Sequence, residues 1–230
     1  MMPHAHSSKN LKGRCFLCRK EFPKTGMPTH LKNCKHSPSP DKKSKKETIF
    51  RLSIESSAIP LYWLYAEIPG KAKLSLLDEF LREIWLECCG HLSEFKIHGV
   101  RYCSTPAEEE ERSGKEKSMD YTLDALLSEG DRASYLYDYG TPTELTIHVL
   151  DVFQGCSSKK VHLIAQNNTP EIRCIECGKK AELVCSDCLW DDKGWLCETC
   201  SCSHKCGPDH LLPIVNSPRV GQCRYTGELK

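Results

Sequence analysis

Twelve cysteine and histidine residues stand at spacings that suit chelation of a soft divalent ion. Near the start the chain reads Cys15-x2-Cys18-x11-His30-x3-Cys34. Much later it reads Cys174-x2-Cys177-x7-Cys185-x2-Cys188-x8-Cys197-x2-Cys200-x3-His204-x-Cys206. Thiolates and imidazoles in fours fill tetrahedral zinc sites, so the two stretches predict three zinc ions. Every position of such sites is taken by protein, which points to structure rather than to catalysis by a zinc-bound water. Within the later stretch the pairing stays open. Sequential use would join Cys174, Cys177, Cys185 and Cys188, leaving Cys197, Cys200, His204 and Cys206. A cross-brace would join the first pair to the third and the second to the fourth. The last pair is tight, and Cys202 or His210 could replace one of its members.

These ligands need small elements to position them. In residues 13–36 two cysteines on a turn face a His and a Cys at i and i+4 on a short helix, with Phe22 and Met27 as its core and Pro28 at the helix start. This resembles the classical zinc-finger plan with the last His replaced by Cys. His36 could substitute as a ligand or stand as a solvated histidine. The C-terminal module, residues 174–227, has few apolar residues between its pairs, mainly Leu183, Val184, Leu189, Trp190, Trp195 and Leu196. Metal must therefore supply much of its stability, on the order of 10 kcal/mol per site. Gly178, directly after Cys177, suits the positive-φ turn that aims backbone N–H groups at sulfur. The spacings resemble B-box and related cross-brace modules, which favours the crossed pairing. The apolar stretch after Leu211 is expected to pack on the zinc module or in a groove, with Cys223 as a buried thiol.

Sixteen cysteines in 230 residues could also mean secreted disulfides. Half of them lie in Cys-x2-Cys pairs, no apolar segment opens the chain and no run is long enough to cross a membrane. A reducing cytoplasm is the expectation. The formal charge of +1 hides a segregation. Residues 1–47 carry 12 Lys and Arg against 3 Asp and Glu, whereas residues 48–153 carry 10 against 19. The basic arm either meets a polyanion such as nucleic acid or folds back on its acidic neighbour. Residues 1–12 are expected to be disordered, and 37–47, with Ser-Pro repeats and a lysine run, to be a linker.

From Thr48 the pattern turns to period two. Phe50, Leu52 and Ile54 share one face of a strand, and Tyr62, Leu64, Ala66 and Ile68 share one face of the next. Ser75 can cap a helix carrying Leu77, Phe80, Leu81, Ile84, Trp85 and Cys88, with Gly90 as its stop. Further strands are expected at Ser93–Ile97, Ala133–Tyr139 and Glu144–Phe153, with a polar loop over 104–120, a short helix at Thr122–Glu129 and a second linker over 154–173. The order predicts an α+β domain with a mixed, mostly antiparallel sheet and one principal helix, close to a β-grasp plan.

Several motifs of this segment occur together: Phe50-Arg51-Leu52, the aromatic strand around Trp63, His91-Leu92-Ser93-Glu94-Phe95 through Tyr102, Leu123 to Asp131, and Tyr135-Leu136-Tyr137-Asp138-Tyr139-Gly140. In that order they resemble the plasmid pRiA4b ORF-3-like domain family over residues 48–153. The resemblance implies an association with plasmids and mobile elements and no defined activity. Where members usually continue the Asp-aromatic-Gly turn with an Asp, a Trp and a His, this chain has Thr141, Thr143 and Leu145, and the usual His two residues after His91 is Ser93.

Catalysis would have to recruit His91, His98, Asp138, His148 or the Cys88-Cys89 pair, and these form no recognisable nucleophile, base and orienter. The expectation is a non-catalytic, multi-zinc binding protein. It would contact nucleic acid non-specifically through Lys32, Lys35, Lys42, Lys43, Lys45 and Lys46, because the finger helix offers only Asn33 as a base reader. The alternative is a protein-interaction adaptor using the central sheet and the C-terminal module.

Overall fold

The computed structural model describes residues 11–35, 46–156, 160–191 and 193–227. Its frame is one ten-stranded sheet built from β1 (Lys12–Cys15), β2 (Glu21–Pro23), β3 (Lys46–Ser56), β4 (Trp63–Pro69), β5 (Ser93–Ile97), β6 (Val100–Cys103), β7 (Glu116–Ser118), β8 (Arg132–Tyr137), β9 (Thr143–Cys156) and β10 (His162–Asn167). The strands lie in the order β2-β1-β10-β4-β3-β9-β8-β5-β6-β7. All neighbours are antiparallel except β6 and β7. The fold is thus α+β, with a mostly antiparallel sheet and α2 (Leu74–Leu81) as its main helix, as the sequence pattern predicts.

Period-two alternation explains how the core forms. Phe50, Leu52 and Ile54 of β3 stand opposite Ile68, Ala66 and Leu64 of β4, and all six are buried. Leu74, Leu77 and Leu81 of α2 and Trp85 close over the same face. On the other face of β4, Trp63 and Tyr65 are buried as well, against Ile164 and Ala165 of β10 and Met27 and Leu31 of α1 (Met27–Asn33). Strand β4 is therefore covered on both sides.

Within the expected linker over 154–173, described residues at both ends of the gap at 157–159 form strands. Strand β9 runs on to Cys156, and β10 pairs with β4 on one side and with β1 on the other. The finger is consequently an extension of the main sheet rather than a separate bead. Lys12 belongs to β1 and not to a disordered start, and Lys46 and Glu47 belong to β3 and not to a linker. Residues 1–10 and 36–45, including His36, lie outside the described residues.

Two local expectations also change. Ser75 does not cap α2, because the first-turn amides of Leu74 and Ser75 donate to the carbonyls of Tyr121 and Met119. The helix then widens into a π turn over Arg82–Leu86 and stops, so Cys88 lies beyond it. The guanidinium of Arg82 donates to Asp78, Glu87, Ser93 and the His91 carbonyl, holding the widened turn against β5. The polar loop at 104–120 contains α3 (Glu108–Arg112) and β7, and β7 is anchored by a 2.6 Å ion pair between Glu116 and Arg101. The short helix, α4 (Leu123–Leu126), ends before Glu129.

The C-terminal module has its own three-stranded sheet, β12 (Trp195–Leu196), β11 (Leu183–Cys185) and β13 (Leu211–Pro213), with α5 (Glu198–Ser201) beside it. Its apolar residues Val184, Leu189, Trp195 and Leu212 are continuous with the main core, as are Val220 and Tyr225 of the tail. Asn167 ties the parts together. It accepts from the Trp63 backbone N–H at 2.9 Å, and its amide donates to Asn216 at 2.7 Å.

The junction between finger and sheet is tight at Gly13. A methyl group there would lie 2.2 Å from the Trp63 ring and 2.3 Å from the Gln166 carbonyl oxygen. The substitution Gly13→Ala is expected to destabilise the protein by roughly 1–3 kcal/mol. Gly26→Ala, where the nearest atom is 3.5 Å away and φ is −90°, should change stability by less than about 0.5 kcal/mol. Denaturant unfolding of the two variants measures the difference.

Candidate metal centres

The finger's four donors converge. Strands β1 and β2 form the hairpin that carries Cys15 and Cys18, and α1 brings His30 and Cys34 over it. All four donor atoms lie within 4.8 Å of one another. The turn after Cys18 puts Arg19 at φ 63, with the Arg19 N–H donating to the Cys15 carbonyl at 2.7 Å. His30 stacks on Phe22 with ring centroids 3.7 Å apart, which fixes its orientation toward Cys18 Sγ, 3.3 Å from Nε2.

In the C-terminal module the ligand pairs cross. Cys174 and Cys177 gather with Cys197 and Cys200, and Cys185 and Cys188 gather with His204 and Cys206. This is the cross-brace arrangement, and it follows from the small sheet. Strand β11 carries Cys185 and lies between β12, which leads into Cys197, and β13. Gly178 takes φ 72 as its place after Cys177 requires, and its N–H donates to the Cys174 carbonyl at 2.9 Å. Neither substitute ligand is used. Cys202 is exposed, with its thiol against the Glu198 carbonyl, and His210 pairs with Asp187 at 2.9 Å.

The donor distances fit a tetrahedral ion. Zn–S near 2.3 Å and Zn–N near 2.0 Å imply edges of about 3.5–3.8 Å. The recorded edges are 3.6 Å for Cys177 to Cys197, and 3.5 and 3.6 Å from Cys188 to Cys206 and to His204 Nε2. Electrostatics points the same way. Burial raises the Cys174 pKa, but the backbone N–H groups of Cys197, Cys177 and Glu176 outweigh it and bring the thiol down to about 6. Cys200 is pushed up to about 12 by its contacts with the Cys197 and Cys177 thiols. In the finger, burial lifts Cys15 to about 11. Thiols crowded this closely cannot all ionise unless a cation shares their charge.

A fourth group was not foreseen. Cys88, Cys89 and His91 meet Cys223 with all donor atoms within 4.8 Å. Cys223 is exposed, not the buried thiol expected of it, and Cys88 is buried beyond the helix end rather than on the helix. Among the described residues, four clusters able to hold a metal thus stand where the spacing predicts three ions. The sequence signal was faint, adjacent cysteines before Gly90-His91, because the fourth member is more than 130 residues away.

The remaining candidates are placed as follows. Asp138 and His91 come together, with Asp138 Oδ2 3.4 Å from His91 Nε2. That carboxylate also binds the fully buried Arg219 at 2.6 Å. Burial works to raise the Asp138 pKa, and the Arg219 guanidinium with the N–H groups of Thr141 and Gly140 overcomes it and holds the carboxyl low. Arg219 also donates to the Thr141 carbonyl and the Thr143 hydroxyl, so a tail residue occupies the polar turn. His98 instead pairs with Asp131, and His148 lies on β9 opposite Ser53 and Arg132. Of the expected nucleic-acid contacts, Lys32, Lys35 and Lys46 are exposed, and Lys42, Lys43 and Lys45 lie outside the described residues. Asn33 donates to the Thr29 carbonyl at 2.9 Å, so its amide is engaged with its own helix.

Comparison with known proteins adds the family. The model of the plasmid pRiA4b ORF-3-like protein matches residues 48–176, more than half of the chain. The chain belongs to this family. The match runs past residue 153, takes in β10 and reaches the first ligand pair at Cys174. No curated protein matches. A solved structure, that of the protein of unknown function MM3350 from Methanosarcina mazei Go1, is similar at 14% identity with a TM-score of 0.44. The likeness covers 58% of this chain and 75% of that one. No helix among the described residues is long and apolar enough to cross a membrane.

Crossed ligation makes a specific prediction for metal counts. Cys177→Ser with Cys200→Ser weakens one C-terminal site, so native mass spectrometry should show one ion fewer than in the unaltered protein. Cys177→Ser with Cys188→Ser weakens both and should remove two. Sequential ligation reverses the two results.

Proposed function

We propose that this chain is a non-catalytic, zinc-built binding protein that holds nucleic-acid phosphates through its N-terminal finger and lysine arm. One observation carries the reading. Lys12, Arg14, Arg19, Lys20, Lys32, Lys35 and Lys46 are all exposed, and none forms an ion pair with a described residue. The central domain behaves differently. There Arg51, Arg82 and Arg101 are each paired with carboxylates, and Arg219 of the tail pairs with Asp138. Of the finger's basic residues, Lys24 alone among those described reaches across to an acidic partner, Glu55. The acidic domain therefore leaves most of the described arm's charge uncompensated, which supports a polyanionic partner over folding back.

The finger helix favours phosphate over base contact. It is seven residues long, its Met27 and Leu31 face the sheet, and Thr29 and Lys32 remain outside. Lysine acts as a point charge and carries little sequence information. A protein-interaction adaptor is the second reading. It is favoured by Trp190, 65% exposed on the C-terminal module, where Ile175 is also exposed.

Deleting the arm would disrupt the sheet, so charge removal is the cleaner test. Binding to a short random-sequence DNA duplex should weaken steeply between 50 and 200 mM salt, by about 10-fold or more. Replacing Arg14, Arg19, Lys20 and Lys32 by Gln should reduce the slope of log K against log salt by roughly 3 to 4. An unchanged slope, or no binding at low salt, would contradict the reading.

A further inference from the structure

We propose that Cys88, Cys89, His91 and Cys223 form a fourth site for zinc or a similar soft divalent ion, and that this ion latches the C-terminal tail to the central domain. The donor distances carry it. Cys89 Sγ lies 3.5 Å from Cys88 Sγ and 3.5 Å from Cys223 Sγ, and His91 Nε2 lies 3.0 Å from Cys89 and 3.3 Å from Cys223. A disulfide would bring two sulfurs to about 2.05 Å. Apart from the 3.0 Å contact of His91 with Cys89, the separations instead match those of the other three clusters, 3.3 Å in the finger and 3.5–3.6 Å in the C-terminal module. Three thiols and an imidazole are the same donor set as in the finger and in the Cys185 cluster.

The surrounding backbone is shaped to make this meeting. The π turn at Arg82–Leu86 ends the helix early and releases Cys88 and Cys89, and Gly90 at φ 75 turns the chain so that His91 comes back beside them. Arg82 holds the His91 carbonyl at 2.8 Å, and the imidazole stands edge-on to Tyr137 with centroids 5.7 Å apart. On the tail side Cys223 and Arg224 adopt φ 46 and 55 in succession, a conformation that costs non-glycine residues energy and persists only where something holds it. Contacts of the neighbouring tail bring Cys223 close. Ser217 donates to the Trp85 carbonyl at 2.6 Å, and Arg219 binds Asp138.

Charge balance also suits a cation. Three thiolates around a divalent ion leave one net negative charge, and Arg219 Nη2 sits 3.5 Å from Cys88 Sγ to offset it. The same guanidinium engages Asp138, whose Oδ2 lies 3.4 Å from His91 Nε2. Cys89 and Cys223 are exposed and Cys88 is buried, so this site is more open than its counterparts. It is the ion a chelator reaches first.

Full-length protein purified under reducing conditions tests the proposal by native mass spectrometry during titration with a zinc chelator. The expected result is four ions, with the first lost from this site. Cys223→Ser and, separately, Cys89→Ser with His91→Ala should each hold three ions, the finger and cross-brace ions being retained as evidence of folding. In both variants the amides of residues 217–225 should exchange with deuterium at least tenfold faster. Three ions in the unaltered protein would overturn the proposal. So would variants that keep its full count, or a Cys89–Cys223 disulfide in the reduced preparation.

Discussion

Strand β4 is buried on both faces, and the remaining parts of the molecule are attached to that fact. Leu64, Ala66 and Ile68 face α2, while Trp63 and Tyr65 face the finger. An antiparallel strand with one wet face would have left a bare aromatic surface here. Covering it calls for an apolar lid, and a seven-residue helix cannot remain folded by its own propensity. A metal ion would supply what the lid lacks, because Cys15, Cys18, His30 and Cys34 converge where an ion can pin α1 to its hairpin, with Met27 and Leu31 turned onto Trp63 and Tyr65. Asn167 extends the dependence to the other end of the chain by joining the Trp63 backbone to Asn216 of the tail.

Much of this was legible in residue types. Alternation at Phe50, Leu52 and Ile54 reads as a strand because the pleat has a period of two, and ligand spacings read as metal sites because four donors must reach one point. Strand β10 was hidden. Its sequence, His162 to Asn167, is short, and both of its partners, β1 and β4, are distant along the chain. The early end of α2 was hidden too, since its apolar spacing continues through Trp85 while the backbone widens to place Arg82 among Asp78, Glu87 and Ser93.

Distance along the chain limited the rest. Local pairs such as Cys174 and Cys177 announce themselves, but which pair meets which depends on the three-stranded sheet. Cys223 is separated from Cys89 by more than 130 residues, and tail contacts such as Arg219–Asp138 and the Ser217 hydrogen bond bring it there. The polar turn at Asp138 is occupied by Arg219 from outside the matched segment.

Metal centres and sheet are expected to make one cooperative core. Hydrogen exchange before and after complete chelation, followed residue by residue, addresses it directly. If the claim holds, protection is lost together in α1, in Trp63–Glu67 of β4, in β10 and in the tail from Leu211 to Tyr225. Loss confined to the finger and the C-terminal module, with β4 and β10 as protected as before, would contradict it.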